Sequence, residues 1–349
     1  MANMEELRVV VAGAGYFGQF HHDAWKRIEG ARPVAAMDRD VCRAKATGLP
    51  AYGNFDAMLD EARPDIVDIV TPPETHFAYI RRALEARPCA VVCQKPFCAN
   101  PEEAKKAAEL GRVAGIPVVV HENFRFQPWY RAIRKAIEAG LVGQVHQMAF
   151  RLRPGDGQGE RAYLDRQPYF QKMPRFLVRE TGVHWIDTFR FLMGEPEAVF
   201  ADLRRMNPAI AGEDAGHILF RFANGARALF DGNRHLDHAA RNPRCTMGEA
   251  LVEGTDGALS LAGDGSVSLR RFGSMEVESV LSPSDWNGFG GDCVRALQAH
   301  VVAFLRGGEP LENVAEDYLK VVATEEAVYA SAEAGRWIAV GDAAKEGAC

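Results

Sequence analysis

Long apolar runs, an excess of positive charge and paired cysteines are all missing from this sequence. Its 349 residues contain no uninterrupted apolar stretch of the roughly 18 residues that a membrane-spanning helix needs. The formal net charge of −6 offers no basic surface for nucleic acid or an anionic membrane. These absences argue against a helical membrane protein and against partners recruited by electrostatic attraction.

The seven cysteines are an odd set and contain no paired Cys-x-x-Cys motif, which argues against a disulfide framework and a zinc site. The first residues lack a basic region followed by an apolar run, so we expect no signal peptide. Both observations predict a cytoplasmic protein with reduced thiols. The hydrophobic share of 47% and charged share of 25% are typical of globular proteins, and 349 residues predict two domains.

A buried strand that ends in three glycines dominates the N-terminal part of the chain. Val9–Ala12 suits a strand covered on both faces, and Gly13, Gly15 and Gly18 follow it with Gly-x-Gly-x-x-Gly spacing. The first glycine permits a tight turn, and the second lets the backbone approach a pyrophosphate at the helix N-terminus. The third lets that helix pack closely on the strand. This pattern predicts a dinucleotide site rather than a purely structural turn.

The residue that ends the second predicted strand indicates which dinucleotide binds. Asp38 lies where a carboxylate would accept hydrogen bonds from both ribose hydroxyls and repel a 2′-phosphate. We therefore predict NAD as the cofactor. Arg39 follows directly, and because a guanidinium pairs well with phosphate, NADP remains an alternative.

Strands and helices alternate up to about residue 124. Strands are predicted at Asp65–Val70, Cys89–Cys93 and Ile116–Val120, with helices beginning near residues 54, 73 and 101. Such alternation predicts a doubly wound parallel sheet, an N-terminal Rossmann domain over residues 1–124. Its ligand would lie at the carboxyl ends of the strands, where Gly13, Thr71, Lys95 and Glu122 fall.

Residues 125–349 have a different pattern and form a second predicted domain. After a helix at about 128–139, alternating segments occur at 144–153, 217–222, 226–233, 245–253 and 267–272. A helix at 176–193 interrupts them, and two more are predicted between Gly288 and Ala334. This order predicts an α+β domain on a large open, mostly antiparallel sheet. Residues 156–171 are the least regular and predict a loop that covers the site.

Lys95 is the first candidate catalytic residue. It stands between a buried strand and Pro96, where the backbone is stiff. An ammonium there could hold a substrate hydroxyl, stabilise a developing alkoxide or shuttle a proton. The alternative is a lysine that simply ends a strand in solvent.

Glu180 and His184 form the second candidate pair. Their four-residue spacing on the predicted helix places them on one face. Imidazole exchanges protons near neutral pH, and a carboxylate one turn away could orient the ring or bind a substrate hydroxyl. Gly182 between them suggests a close approach. A surface pair, a core histidine and a pair of metal ligands are alternatives, but no further ligands occur at metal-site spacing, so we expect no metal.

Several other polar residues follow predicted strands. His76 is expected to face the cofactor cleft from the first helical turn after Thr71 and Pro72, although a capping or packing role fits equally. His121, Glu122, Asn123 and Arg125 follow the last strand of the first domain and are expected to point toward a cleft between the domains. A polar linker would look the same.

These residues together resemble the glucose–fructose oxidoreductase / inositol dehydrogenase / rhizopine catabolism (Gfo/Idh/MocA) family over almost the whole chain. The motifs that carry the resemblance are Val-Ala-Gly-Ala-Gly-Tyr-Phe-Gly at 11–18, Thr71-Pro72-Pro73 with His76, Gln94-Lys95-Pro96, 123–128, 182–187 and 253–257. The resemblance implies hydride transfer between NAD and a sugar or polyol carbon, and homodimers or homotetramers paired through the open sheet.

The resemblance also assigns roles to residues. It implies Lys95, Glu180 and His184 as catalytic residues that also bind substrate with Arg125. It implies a cofactor site formed by Gly13, Gly15, Tyr16, Phe17, Gly18, Asp38, Arg39, Thr71, Pro72, His76, Gln94, Lys95 and Asn123. In the resulting hypothesis, Lys95 and Glu180 hold a sugar hydroxyl and His184 removes its proton.

Two residues depart from the family pattern. Gln94 replaces the usual glutamate before the lysine, and Glu180 replaces the common aspartate before the histidine. Residues 167–184 are similar to those of sugar-catabolic bacterial members, among them dehydrogenases of the branched pentose apiose. Arg175 and Arg179 leave an acidic sugar as an equal alternative. A non-catalytic NAD-binding co-regulator is the alternative function, although such a protein is expected to lack the lysine and histidine.

Overall fold

The computed structural model describes residues 6–341. Contacts along the chain divide it into two units. The first contains the residues up to Asn123 together with Asp292–Val322, and the second contains Phe124–Gly291 and the residues from Ala323 onward. Residues 292–322 share no motif with the N-terminal part, so local spacing does not predict that the two segments group together. The division into folding domains at residue 124 stays a prediction.

The described chain contains nine α-helices and fifteen strands. The helices are α1 Gly18–Trp25, α2 Val41–Ala46, α3 Phe55–Ala62, α4 Pro73–Glu85, α5 Pro101–Ala114, α6 Pro128–Glu138, α7 Val183–Met193, α8 Cys293–Leu305 and α9 Ala315–Ala334. The strands are β1 Leu7–Ala12, β2 Ala31–Met37, β3 Ala51–Tyr52, β4 Ile66–Ile69, β5 Ala90–Gln94, β6 Val118–His121, β7 Val145–Leu152, β8 Pro196–Arg204, β9 Ala215–Phe222, β10 Arg227–Asn233, β11 Gly248–Gly254, β12 Gly257–Leu261, β13 Val267–Arg271, β14 Val277–Leu281 and β15 Ile338–Ala339.

The first unit is built on a six-stranded parallel sheet. Its strand order is β3-β2-β1-β4-β5-β6, the doubly wound order with a switch point beside β1. The central strands β1, β4 and β5 are mostly apolar and almost entirely buried, as expected of strands covered by helices on both faces. The predicted Rossmann domain architecture is confirmed.

Local signals in the sequence set the helix starts of this unit. The Asn54 side chain accepts the Ala57 N–H, and the Asn100 side chain accepts the Glu103 N–H, each at 2.9 Å. Both side chains satisfy a backbone donor that the first helical turn leaves open. Pro73 and Pro101 occupy first-turn positions of α4 and α5, where proline sacrifices no hydrogen bond.

The second unit is built on a nine-stranded sheet in the order β14-β13-β12-β11-β7-β10-β9-β8-β15. Only the β7–β10 pair is parallel among its described pairings. Buried and exposed residues alternate along β9, so one face of that strand is covered. Trp185 of α7 stacks on Phe150 of β7 with ring centroids 4.1 Å apart. The predicted large open, mostly antiparallel sheet is confirmed.

The sequence analysis predicts no strand at four positions of this sheet: β8, β12, β14 and the two-residue β15. β8 begins at a proline and carries several charged residues, which obscure its alternation, and none of the five residues of β14 is buried. Their pairing with neighbouring strands decides their conformation, and a single sequence does not display that pairing.

Residues 156–171 are irregular, as predicted, but they are tightly packed. Tyr163 and Phe170 join Phe176 and Ile210 in a buried apolar cluster. The buried Arg234 guanidinium donates to Asp156 at 3.0 Å and to the Tyr163 hydroxyl at 2.7 Å. Arg166 also pairs with Asp156. The segment is therefore fixed to the second unit by apolar and charged contacts.

Candidate functional site

The three glycines of the first loop have different surroundings. Gly13 has a φ of +111°, and a Cβ there would lie 2.2 Å from the Val70 carbonyl oxygen. A Cβ on Gly18 would lie 2.6 Å from the Gly13 carbonyl oxygen, whereas a Cβ on Gly15 would meet nothing within 4 Å. The turn and the close helix packing thus require glycine for reasons within the protein. Open space at Gly15 is what a site for an approaching phosphate group requires.

The Asp38 carboxylate lies beside this loop at the end of β2. Its Oδ2 accepts the Ala14 N–H and its Oδ1 accepts the Asp40 N–H, both at 2.9 Å. These bonds fix the carboxylate against the glycine-rich loop while it stays half-buried. Arg39 is exposed. The arrangement fits the ribose contact predicted from the sequence.

The turn between β4 and α4 holds two of the predicted cofactor residues. The Thr71 and Thr75 hydroxyls lie 2.7 Å apart, and the Thr75 hydroxyl donates to the Pro72 carbonyl oxygen. His76 is fully buried, and its Nε2 lies 2.7 Å from the Thr71 carbonyl oxygen. This geometry favours the packing role of His76 that the sequence left open.

Lys95 follows β5, at the carboxyl edge of the parallel sheet. Its side chain is half-buried, and its backbone N–H donates to the Gln94 Oε1 at 3.0 Å. The Gln94 side chain is only 6% exposed and turns inward, where its amide nitrogen contacts His21 and His121. The predicted contact of Gln94 with the cofactor therefore stays a prediction, and its visible role is to anchor the Lys95 backbone.

A buried polar cluster that sequence reasoning missed lies behind this turn. The Asp68 Oδ2 accepts from the Trp25 indole N–H at 2.7 Å and lies 2.7 Å from the His21 Nδ1. His21 and Asp68 are 47 positions apart, so no local motif joins them. One signal was available: Asp68 interrupts the apolar run of β4, and a carboxylate in a buried strand requires partners.

His121 and Glu122 lie inside the first unit, which corrects the expectation that they point toward a cleft. The ring centroids of His121 and His21 are 4.2 Å apart, and burial lowers the pKa of His121 to about 3. The Glu122 carboxylate accepts from the Tyr318 hydroxyl at 3.3 Å, and its carbonyl oxygen accepts from Asn313. Both residues thus stabilise the unit internally.

Asn123 is the exception among these residues. Its side-chain nitrogen is buried and has no hydrogen-bond partner among residues 6–341. Because a buried amide donor without a partner is costly, this atom fits the predicted role of Asn123 as a cofactor ligand.

His184 is the second residue of α7 and is 7% exposed. The Phe124 ring stacks on its imidazole with centroids 3.7 Å apart and planes within 1°. Such stacking covers one ring face and fixes the ring plane, while the nitrogens lie at the ring edge. The imidazole is therefore preoriented by packing.

The helix predicted from Phe176 is not an α-helix over its first part. Leu177–Gly182 forms a π-helical segment, and α7 begins only at Val183. The Glu213 Oε1 accepts the N–H groups of both Phe176 and Val178 at 3.1 Å, which stabilises this wider turn. The α-helical spacing used to place Glu180 and His184 on one face is therefore wrong in detail, and π-helical turns are frequent at functional sites.

Three arginines near these residues form ion pairs with carboxylates of the second unit. Arg125 forms two hydrogen bonds of 2.7 and 2.6 Å with Asp187, which favours a packing role over the predicted contact with substrate. Arg175 pairs with Glu326 at 2.6 Å, and Arg179 pairs with Glu325 at 3.0 Å. Both guanidinium groups thus have carboxylate partners within the second unit, and an acidic sugar as the substrate stays a prediction.

The predicted site residues fall into two sets. Gly13 to Gly18, Asp38, Thr71, Lys95 and Asn123 belong to the first unit, and Glu180 and His184 belong to the second. Within each unit the structure brings the expected residues to one region: the carboxyl edge of the sheet, and the segment from the π turn into α7. The meeting of Lys95 with His184 at one substrate stays a prediction.

Residues 7–122 match the Gfo/Idh/MocA oxidoreductase family, described as having an NAD-binding Rossmann fold, and residues 130–260 match the C-terminal domain of that family. The chain belongs to the Gfo/Idh/MocA family. The predicted family, the oxidoreductase class and NAD as the cofactor are thereby confirmed.

The similarity to known Gfo/Idh/MocA proteins extends over nearly the whole chain. A D-apiose dehydrogenase of Paraburkholderia graminis is 33% identical, over 96% of this chain and 90% of that protein. A D-apiose dehydrogenase of Rhizobium rhizogenes is 31% identical, over 97% of this chain and 99% of that protein. A crystal structure of an oxidoreductase from Agrobacterium radiobacter, in complex with NAD⁺, L-tartaric acid and magnesium, superposes with a TM-score of 0.87. It is 30% identical and covers 96% of this chain and 99% of that one.

The described part of the chain lacks three features. No helix within residues 6–341 is both long and apolar enough to cross a membrane. No group of three or more histidine, cysteine, aspartate or glutamate side chains in this range is arranged to hold a metal ion. None of its six cysteines forms a disulfide, and Cys349 lies outside the described residues. The absence of a metal from the reaction stays a prediction.

Proposed function

We propose that this Gfo/Idh/MocA protein is an NAD-dependent dehydrogenase that oxidises a hydroxyl-bearing carbon of a sugar, with D-apiose as the first substrate to test. The observation that carries the proposal is near full-length similarity to two D-apiose dehydrogenases in a chain that keeps both Lys95 and His184. The internal pairing of Arg175 and Arg179 supports a neutral sugar over an acidic one.

The first unit would hold the cofactor. Open space at Gly15 would accept the pyrophosphate, and the fixed carboxylate of Asp38 would accept hydrogen bonds from the ribose. The buried side-chain nitrogen of Asn123, which has no hydrogen-bond partner among residues 6–341, would donate to a polar group of the nicotinamide half. Bound NAD supplies the acceptor for the hydride that leaves the sugar carbon.

Three side chains would carry the remaining chemistry. The Lys95 ammonium, held by the short Gln94–Lys95 turn, would bind the reacting hydroxyl and favour its alkoxide form. Glu180 would orient the sugar through a second hydroxyl. The preoriented His184 imidazole would accept the hydroxyl proton, a contribution of about 10²- to 10⁴-fold in rate.

We also propose that the protein acts in the cytoplasm and forms a homodimer or homotetramer through the open face of the nine-stranded sheet. Exposed leucines on that sheet, Leu219 on β9 and Leu251 on β11, support such pairing. The oligomer is tested by light scattering of the protein with arginine placed at both positions, which is expected to yield monomers.

A panel of sugars tests the proposed function directly. The protein is incubated with NAD⁺ and D-apiose, aldoses, inositols, uronic acids or aldonic acids, and NADH is followed by its absorbance. We expect turnover with D-apiose or a related neutral sugar. If the protein binds NAD⁺ tightly but oxidises no member of the panel, the result would instead support the alternative function, a non-catalytic NAD-binding co-regulator.

Single alanine substitutions of Lys95 and His184 test the residue roles. We expect each to lower kcat by at least about 100-fold while the Kd for NAD⁺, measured separately by calorimetry, changes little for His184→Ala. Full turnover in either variant would contradict the assigned role of that residue.

A further inference from the structure

The side chain of Gln94 faces three partners inside the first unit. Its Oε1 accepts the Lys95 N–H at 3.0 Å, and its Nε2 lies 2.9 Å from the His21 Nε2 and 3.2 Å from the His121 Nδ1. Both histidine rings are fully buried. These contacts therefore replace solvent for every polar atom of the amide.

The backbone N–H of Lys95 fixes which way round the Gln94 amide lies. An N–H group can only donate, so the amide atom that faces it must be the oxygen. The amide nitrogen then faces His21 and His121, and because this nitrogen also only donates, each facing ring nitrogen must offer a lone pair. If the amide were flipped, its NH₂ group would face the Lys95 N–H, and two donors would oppose each other.

This orientation determines the protonation of His21. With its Nε2 accepting from Gln94, the single ring proton lies on Nδ1, which is 2.7 Å from the Asp68 Oδ2. The carboxylate also accepts from Trp25 and Gln298. Neutral His21 beside ionised Asp68 satisfies the bonds with Gln94 and Trp25. The Gln298 Nε2, which also lies 3.2 Å from the His21 Nδ1, donates to Asp68 and not to the ring.

The other titratable groups around this pair leave that arrangement intact. His22 on α1 and His121 on β6 are neutral, because burial lowers their pKa values to about 4 and about 3. Cys93 on β5 is neutral as well, because burial raises the pKa of its thiol. Gln298, which approaches from α8, has no charge. Asp68 is thus the one charged member of the cluster.

We propose that Gln94 is a positioning residue, which anchors the backbone of Lys95 and selects the neutral form of His21 bonded to Asp68. The kinetic consequence rests on the proposed function of Lys95, whereas the protonation of His21 does not. A glutamate, the residue usual at this position in the family, keeps an acceptor for the Lys95 N–H but offers no donor to either ring. A chain with glutamate must therefore bind one more proton in this cluster.

Two substitutions of matched chemistry test the anchoring. Gln94→Met and Gln298→Met each remove one buried amide from the cluster, but only the first removes the acceptor of the Lys95 N–H. With NAD⁺ and the sugar that the panel shows to be oxidised fastest, we expect Gln94→Met to lower kcat about 10- to 100-fold. We expect Gln298→Met to keep kcat within about threefold and both variants to bind NAD⁺. Equal kcat values in the two variants would overturn the anchoring role.

Gln94→Glu tests whether Gln94 selects the neutral form of His21. It is also a conservative substitution that should restore the kcat lost in Gln94→Met. Nitrogen-15 spectra of histidine-labelled protein are expected to show His21 protonated on Nδ1 alone in the wild type and on both nitrogens in Gln94→Glu. Because glutamate keeps an acceptor for the Lys95 N–H, the variant is expected to recover most of the kcat that is lost in Gln94→Met. A doubly protonated His21 in the wild type would overturn the proposal.

These measurements separate the two proposals. Full turnover in Lys95→Ala would refute the catalytic role of the lysine and leave the spectra of His21 to decide the role of Gln94. Conversely, an inactive Lys95→Ala with an imidazolium at His21 in the wild type would keep the proposed function and reject the selection by Gln94.

Discussion

Asp38 combines two functions that its position at the end of β2 makes compatible. Its two oxygens accept backbone N–H groups from the glycine-rich loop and from Asp40, so the carboxylate is held in place before any ligand binds. The negative charge disfavours a 2′-phosphate, while the remaining lone pairs can accept hydroxyl groups. A substitution that removes the charge of residue 38 but keeps an acceptor oxygen can therefore test the effect of the charge by itself.

Asp38→Asn removes the charge and keeps an oxygen that can accept the Ala14 N–H. Because the repulsion of the 2′-phosphate is lost, we expect the Kd for NADP⁺ to fall relative to the Kd for NAD⁺ by about 10- to 100-fold. Each factor of ten corresponds to about 1.4 kcal/mol. Calorimetric titration with both dinucleotides measures the shift. Asp40→Asn is the matched control, since Asp40 caps α2, and an equal shift there would contradict the assignment to Asp38.

Residues were predictable from the sequence where their partners lie close by along the chain, and were not predictable where their partners lie far away along it. The glycines, Asp38 and Lys95 are predicted by local spacing, because strand, turn and helix are consecutive. The cluster of His21, Asp68 and Gln298 joins α1, β4 and α8, and only folding brings those segments together.

At the scale of elements, the π turn before α7 is the largest departure from prediction. Leu177–Gly182 was assigned to an α-helix because its apolar spacing suits one, yet Glu213, from the segment before β9, accepts two of its backbone N–H groups. Strands β8 and β14 were missed for a related reason: pairing with neighbours outweighs their own polar or exposed residues. The capped helices α3 and α5 were predicted well, since Asn54 and Asn100 act within their own first turn.

Gly182 allows a test of what this turn is for. A Cβ at Gly182 would make only ordinary contacts of 3.5 Å or more, and its φ of −60° suits any residue. Gly182→Ala is therefore expected to stabilise the protein by about 0.5 to 1 kcal/mol through helix propensity, measured by urea unfolding. A KM for sugar that rises in the same variant would show that substrate approaches the glycine.

Gly194→Ala is the control for this experiment. Gly194 ends α7 with a φ of +90°, which alanine adopts only with strain. We expect the opposite sign, a loss of stability. A loss in Gly182→Ala as well would contradict the conclusion that no protein group requires a glycine at position 182.

For the whole molecule, the buried histidines of the first unit couple stability to pH. Burial lowers the pKa of His22 to about 4 and that of His121 to about 3, whereas a histidine in the unfolded chain has a pKa of about 6.5. Above pH 6.5 both states are neutral and these groups have no effect. As the pH falls below 6.5 the unfolded chain binds protons that the folded chain excludes, so the folded state loses stability.

The loss continues as the pH falls toward 4 and then 3, at about 1.4 kcal/mol per pH unit for each fully excluded proton. We expect the midpoint of urea unfolding to be nearly constant between pH 8 and 7 and to fall steeply between pH 6 and 4.5.

His22→Gln keeps a donor for the Gly13 carbonyl oxygen, which the histidine contacts at 3.3 Å, but cannot take up a proton. This variant should therefore show a shallower fall, whereas His146→Gln, at an exposed position on β7, should leave the slope unchanged. Equal slopes in the wild type and His22→Gln would mean that the folded chain admits the proton at His22 and that its burial does not govern acid stability.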